Sequence, residues 1–137
     1  MKTARAVRLV EYGGPEKMCV ATVEIAPPAA GQVQIRQMAI GFNFIDVYHR
    51  KGIYPLPLPT GLGYEAAGIV EAIGAGVDQF HPGERVAYMN AGVGAYADFR
   101  NVPADRLVGI PDGVSDEEAA ALLFKGMTAQ YLLKKTH

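Results

Sequence analysis

Hydrophobic and polar residues along the 137-residue chain repeat with two different periods. Over most of the length the period is close to two and the runs are short. The stretch "TARAVRLVEY" ends at "GGP" and "MCVATVEIA" ends at "PPAAG". Both read as β-strands closed by turn chemistry, since glycine supplies positive φ and proline fixes its own. A third run, "QVQIRQMAIG", begins with Val33 and Ile35 alternating against Gln34 and Arg36, then turns apolar on both faces. Its C-terminal end is therefore expected to be buried. "AAGIVEAIG", "ERVAYMN" and "YADFRNV" read as further strands, linked by the turns "GAGVDQFHPG" and "AGVGA". Several short strands at such spacing predict a barrel or sandwich. Between them "YPLPLPTG" carries proline at every second position from Pro55 to Pro59, which predicts an extended surface loop.

Two stretches switch to the helical period. In "NFIDVYHRKG" the residues Phe44, Ile45, Val47 and Tyr48 form one stripe, with Asn43 placed as N-cap and Gly52 just past the C-terminus. Further on, Ser115 and Glu118 form a capping box, and Asp116, Glu117 and Glu118 suit the positive end of a helix dipole. The "AAALLF" that follows is apolar all round, so this helix is expected to be buried against something large. It passes Gly126, continues through "MTAQYLLKK" and reaches His137 with no C-cap signal, which leads us to expect a piece of a longer protein. No internal repeat or low-complexity tract interrupts this order. No G-x-G-x-x-G lies between a strand and a helix, so no dinucleotide fingerprint is expected here; "GLGYEAAG" leads into a strand instead.

Composition narrows the class. The length suits one domain with a real core, and 16 Gly with 9 Pro indicate many turns rather than a helical bundle. Thirteen basic against fourteen acidic residues give a formal charge of -1 with no basic run, which argues against nucleic acid as principal partner. The single cysteine, Cys19, excludes an intrachain disulfide framework and suits a reducing compartment. With no signal-peptide core and no apolar run of ~20 residues, a soluble cytoplasmic protein without membrane partners is expected.

The motifs "GFNFIDVYHRKGIYP", "GLGYEAAGIVEAIGAGV", "HPGERVAY" and "FKGMTAQYLL", in this order and spacing, are specific enough to name a family. Together they resemble the NADPH-dependent quinone oxidoreductases, the zeta-crystallin-like branch of the medium-chain dehydrogenase/reductases, over essentially the whole chain. The resemblance implies a mainly β fold with short helices, a GroES-like partly open β-barrel, lacking the Rossmann domain that holds most of the NADPH. Residues 1–114 would be the GroES-like catalytic domain and 115–137 a helix leading toward the cofactor domain. It further implies a quinone or similar conjugated carbonyl as substrate and a homodimer for the full-length protein. Two alternatives stay open: an NADPH-dependent enone or alkenal reductase on the same scaffold, and a non-enzymatic GroES-like binding module.

Zinc alcohol dehydrogenases are the rival within the superfamily. Their first catalytic ligand is the Cys of a Cys-x-x-Asp element and their second the His of Gly-His-Glu; here "NFID" and "GYE" put Asn43 and Tyr64 in those places. Neither is a normal zinc ligand. Where those relatives carry a four-cysteine lobe, this chain has "AGVGA", and Cys19, His49, His81 and His137 are too scattered to rebuild either site. No metal is expected. Glu65 then has no metal to serve. If buried it needs a partner, and Arg50 or Arg85 is conceivable; the other reading has it adjust the polarity of a cleft or relay a proton.

Hydride transfer to a quinone needs the two rings aligned and hydrogen-bond donors aimed at the oxygen that gains charge. Tyr48, Tyr54 and Tyr64 suit that catalytic task, because a phenol is a donor at neutral pH and its ring stacks on a flat substrate; Tyr48 is equally readable as part of the helix stripe. Asn43 and Asp46 read as a capping box, and the resemblance adds that the Asn side chain lies near the nicotinamide. Lys125 and Thr128, flanking Gly126, would suit the nicotinamide ribose or a phosphate, against a bland reading as a solvated lysine and a helix-facing threonine. His49, beside Arg50 and Lys51, is expected to face solvent.

Overall fold

The computed structural model describes residues 1–136. Eight strands and two helices follow in the order β1 (Lys2–Leu9), β2 (Met18–Ile25), β3 (Gln32–Gly41), α1 (Phe44–Lys51), β4 (Thr60–Gly61), β5 (Glu65–Ile73), β6 (Arg85–Met89), β7 (Phe99–Pro103), β8 (Leu107–Gly109) and α2 (Asp116–Lys135). β1 and β2 form a hairpin in unbroken register from Lys2 opposite Ile25 to Leu9 opposite Met18, and β4 pairs on the other edge of β1. The second sheet has the order β7-β3-β5-β6-β8, antiparallel throughout. An isolated bridge between Ala6 and Ala97 joins the sheets without closing them into a ring, the partly open form expected. The core lies against the larger sheet, where Val33, Ile35, Val70, Val86, Tyr88, Val102 and Leu107 pack together.

Three expectations from the hydropathy pattern fail, each for a physical reason. In β3 the N-terminal half is buried and Met38 and Ile40 are exposed, the reverse of what the apolar run suggests. Register shifts at Gln34/Ile35 and Gln37/Ala39 re-aim the strand, and Gln37 donates to the carbonyls of Ala95 and Ala97 at 2.8 and 2.6 Å. Helix α1 buries its polar stripe, Asp46, His49 and Arg50, while Phe44 on the apolar stripe is 66% exposed. Buried polar groups are tolerated when hydrogen-bonded, and these are: Arg50 Nη1 donates to the Gly13 carbonyl at 2.6 Å and the Tyr96 hydroxyl donates to Asp46 Oδ2 at 2.8 Å. Finally, α2 touches the sheet along one strip. Its Ala120 packs with Ala67 and Ala87, small side chains that permit close approach, while Leu122, Met127, Tyr131, Leu132 and Leu133 are exposed.

Candidate active site

The N-terminus of α1 gives the site its first polar group. Asn43 is the N-cap, with the Asp46 amide bonded to the Asn43 carbonyl and Asp46 Oδ2 accepting from the Asn43 amide, each at 3.0 Å; Gly52 ends the helix at φ 75°. The cap leaves the Asn43 side chain to reach elsewhere. Its Nδ2 donates to Glu65 Oε2 at 2.8 Å, and its Oδ1 accepts from Lys125 Nζ at 3.0 Å. Glu65, fully buried as the first residue of β5, also accepts the backbone N–H of Phe124 in α2 at 2.6 Å. Neither arginine expected beside it is there, since Arg50 serves Gly13 and Arg85 is paired with Asp116 at 2.9 Å. The cation that approaches Glu65 is Lys125, at 3.8 Å. The buried carboxylate thus ties β5, the start of α1 and the middle of α2 together.

Beside this clasp lies an open groove of about 520 Å³, lined by Asn43, Phe44, Ile45, Phe124, Lys125, Thr128, Ala129 and Leu132. Lys125 spends two of its three donors on Asn43 Oδ1 and the Phe42 carbonyl and keeps one. Thr128 Oγ1 donates to the Phe124 carbonyl at 3.0 Å, a back-bond along the helix, and so offers the groove lone pairs only. Asn43, Lys125 and Thr128, predicted together from sequence, therefore meet in one hollow. Asp46 does not line it. It is buried, with Oδ2 taken by Tyr96 and the Asn43 amide, and its Oδ1 is a buried oxygen with no partner among the described residues.

Phe44 connects the groove to a row of aromatic rings. Its ring meets Tyr48 edge-on at 5.3 Å, Tyr48 meets Tyr54 edge-on at 5.3 Å, Tyr54 meets His49 at 6.1 Å, and His49 stacks on Tyr64 at 5.5 Å. Tyr54 is 51% exposed, whereas His49, expected in solvent, is buried. Its Nδ1 lies 2.8 Å from the Tyr54 carbonyl, which can only accept, so Nδ1 carries the hydrogen. In the neutral ring this leaves Nε2 as acceptor, and the Tyr64 O–H donates to it at 3.2 Å. Burial, and then the charge of Asp46, raise the Tyr64 pKa against a smaller opposing effect of Arg100. Burial and the bond to Asp46 likewise push Tyr96 up. The sequence did hold a sign of His49: Asn43, Asp46, His49 and Arg50 recur at intervals of three and four, as regular a stripe as the apolar one.

A family model of the alcohol dehydrogenase GroES-like domain matches residues 29–112. The chain belongs to this family. The chain is 46% identical over 135 residues to a quinone oxidoreductase of Pseudomonas aeruginosa, covering 98% of this chain and 42% of that protein. It is also 46% identical over 132 residues to a 2-haloacrylate reductase of a Burkholderia species, covering 91% of this chain and 39% of that protein. Among solved structures, Escherichia coli quinone oxidoreductase complexed with NADPH superposes with a TM-score of 0.95 at 44% identity, over 97% of this chain and 41% of that one. The chain thus spans about two fifths of the length of the curated relatives it matches.

Within the described residues of the GroES-like domain, no group of three or more His, Cys, Asp or Glu side chains is placed to hold a metal ion. Cys19 is exposed on β2, His81 pairs with Glu84 at 3.4 Å, and His137 lies outside the described residues. No helix among those residues is long and apolar enough to cross a membrane.

Proposed function

We propose that this chain is the N-terminal part of a zinc-independent, NADPH-dependent quinone oxidoreductase, with residues 1–114 as the GroES-like catalytic domain and α2 leading toward a cofactor domain. The observation that carries this reading is the groove, in which an amide, a free ammonium donor and a hydroxyl acceptor converge between apolar walls. That donor set fits the nicotinamide ribose. The flat ring suits the walls formed by Phe44, Ile45 and Leu132; Lys125 has a donor for a ribose oxygen, and Thr128 has lone pairs for a ribose hydroxyl. A reduced nicotinamide held there by Asn43, Lys125 and Thr128 would supply a hydride.

The chain's own work is to orient, exclude water and stabilise charge. Tyr48 and Tyr54, next along the aromatic row from Phe44, offer ring faces to a planar substrate and O–H donors to the oxygen that becomes anionic, where such donors act most strongly. Tyr64 has its hydroxyl hydrogen engaged by His49, so its part is to support that wall. Chemistry of the donor set also favours independence from zinc: the Lys125 ammonium already sits on Asn43 Oδ1, a cation in the place where a second cation would be repelled.

The likeness to a 2-haloacrylate reductase favours an enone reductase as second reading. Purified full-length protein, assayed for NADPH oxidation with 1,4-naphthoquinone and with 2-chloroacrylate, with and without a chelator, separates the two. Faster turnover of the quinone, unchanged by the chelator, is the expected result. Turnover of the acrylate alone selects the second reading, loss of activity with the chelator overturns zinc independence, and no turnover of either leaves a binding module.

A further inference from the structure

Every group that meets Glu65 is a donor, and this fixes more than the carboxylate. A backbone N–H and an ammonium have no acceptor, whereas a primary amide has one end of each kind. With Phe124 and Asn43 Nδ2 both donating to Glu65, the Asn43 amide is left with its oxygen facing Lys125. The whole series, from Lys125 through Asn43 to Glu65, can run in one direction only.

We propose that Glu65 is a positioning residue for the groove: by accepting from Phe124 and Asn43 it sets which way the Asn43 amide faces, and through that amide it stations the Lys125 ammonium where a nicotinamide nucleotide presents its ribose or phosphate oxygens. The inference rests on the groove reading above. Lys125 lies 3.8 Å from Glu65 Oε2, beyond hydrogen-bond range, and 3.0 Å from Asn43 Oδ1, so Asn43 is its direct seat. Its side chain is 54% exposed, and without that seat it has little else among the described residues to hold it on the groove beyond the Phe42 carbonyl at 3.1 Å. A residue that merely filled space would be replaced without loss by glutamine, which has the same shape.

The polarity of the series can be reversed without changing its volume. Glu65→Gln sets an NH2 group against the NH2 of Asn43; the Asn43 amide turns, its nitrogen faces the ammonium, and Lys125 leaves. Asn43→Asp sets two carboxylates at what is now a 2.8 Å contact. The double variant E65Q/N43D restores a donor facing an acceptor at both junctions, since the new amide donates to the new carboxylate and that carboxylate accepts from Lys125.

The test uses the 15N-labelled chain and its three variants, with reduced nicotinamide mononucleotide as probe and hydrogen exchange of the Phe124 amide as a second readout. Each single substitution is expected to weaken probe binding about tenfold, or ~1.4 kcal/mol, and the double variant to regain most of it. Wild-type affinity in E65Q, or a double variant no better than the singles, overturns the proposal. If E65Q does not fold, Lys125→Met takes its place: a similar loss of affinity with Phe124 exchange unchanged supports the role, and unchanged affinity overturns it. A wild-type chain that does not take up the probe sinks the groove reading instead. Positioning is then judged from the Asn43 side-chain NH2, whose slow exchange is lost in E65Q if Glu65 orients it and persists if it does not.

Discussion

Glu65→Ala lowers the stability of this chain by about 3 kcal/mol, because it strands buried donors that cost ~1–3 kcal/mol each when unpaired. Two donors lose their acceptor, the Phe124 backbone N–H and Asn43 Nδ2. The Phe124 N–H can recover part of its loss by pairing with the carbonyl four residues back in α2. Asn43 has no such neighbour in its own helix. Relief of the desolvation of a buried carboxylate offsets some of the cost, which keeps the net loss below what the bond count alone suggests. Lys125 adds little either way, since it is half exposed and screened by solvent. In urea titrations the midpoint falls with the slope unchanged, and the thermal midpoint drops by roughly 10 °C for a chain of this size. A loss within the ±0.5 kcal/mol scatter of ordinary surface substitutions would mean that the carboxylate does not clasp α2.

Gly41→Ala attacks the same junction by steric overlap. Gly41 ends β3 opposite Glu65, and a methyl group there would overlap the Ala120 carbonyl oxygen and lie 2.7 Å from Glu65 Oε2. Neither neighbour can swing aside, since one is helix backbone and the other a carboxylate held by Asn43 and Phe124. Helix α2 must therefore move off the sheet, at a cost of about 2–3 kcal/mol by comparison with overpacked cores. Gly126 in the same helix is the control, because nothing lies within 4 Å of its added carbon. There alanine raises helix stability by ~1 kcal/mol. Denaturant titration of both variants, with exchange of the Phe124 amide, checks the pair; equal effects at the two glycines would contradict the close approach of α2.

What was legible in the sequence is what local chemistry decides. The turns, the six principal strands, the Asn43 and Gly52 ends of α1 and the Ser115–Glu118 capping box of α2 all depend on residues within a few positions of one another. The two- and three-residue strands β4 and β8 show no periodicity, because they are too short to have any. Burial is a different matter. Which face of α1 turns inward is decided by Gly13 and Tyr96, distant in the chain, whose polar atoms make a buried arginine and aspartate tolerable. The partner of Glu65 was invisible for the same reason: Asn43, Phe124 and Lys125 arrive from two helices, and no spacing rule links them to it. The family resemblance, not periodicity, pointed to Lys125 and Thr128, and the fold brings both to one groove with Asn43.

The groove itself is tested most directly by titrating the 15N-labelled chain with NADPH and mapping the amide shifts. Saturable changes are expected at residues 43–45 and at Phe124, Lys125, Thr128 and Ala129. The contradicting result would be an unchanged spectrum, or changes confined to the wholly separate apolar cavity between β8 and α2, around Val108 and Ile110.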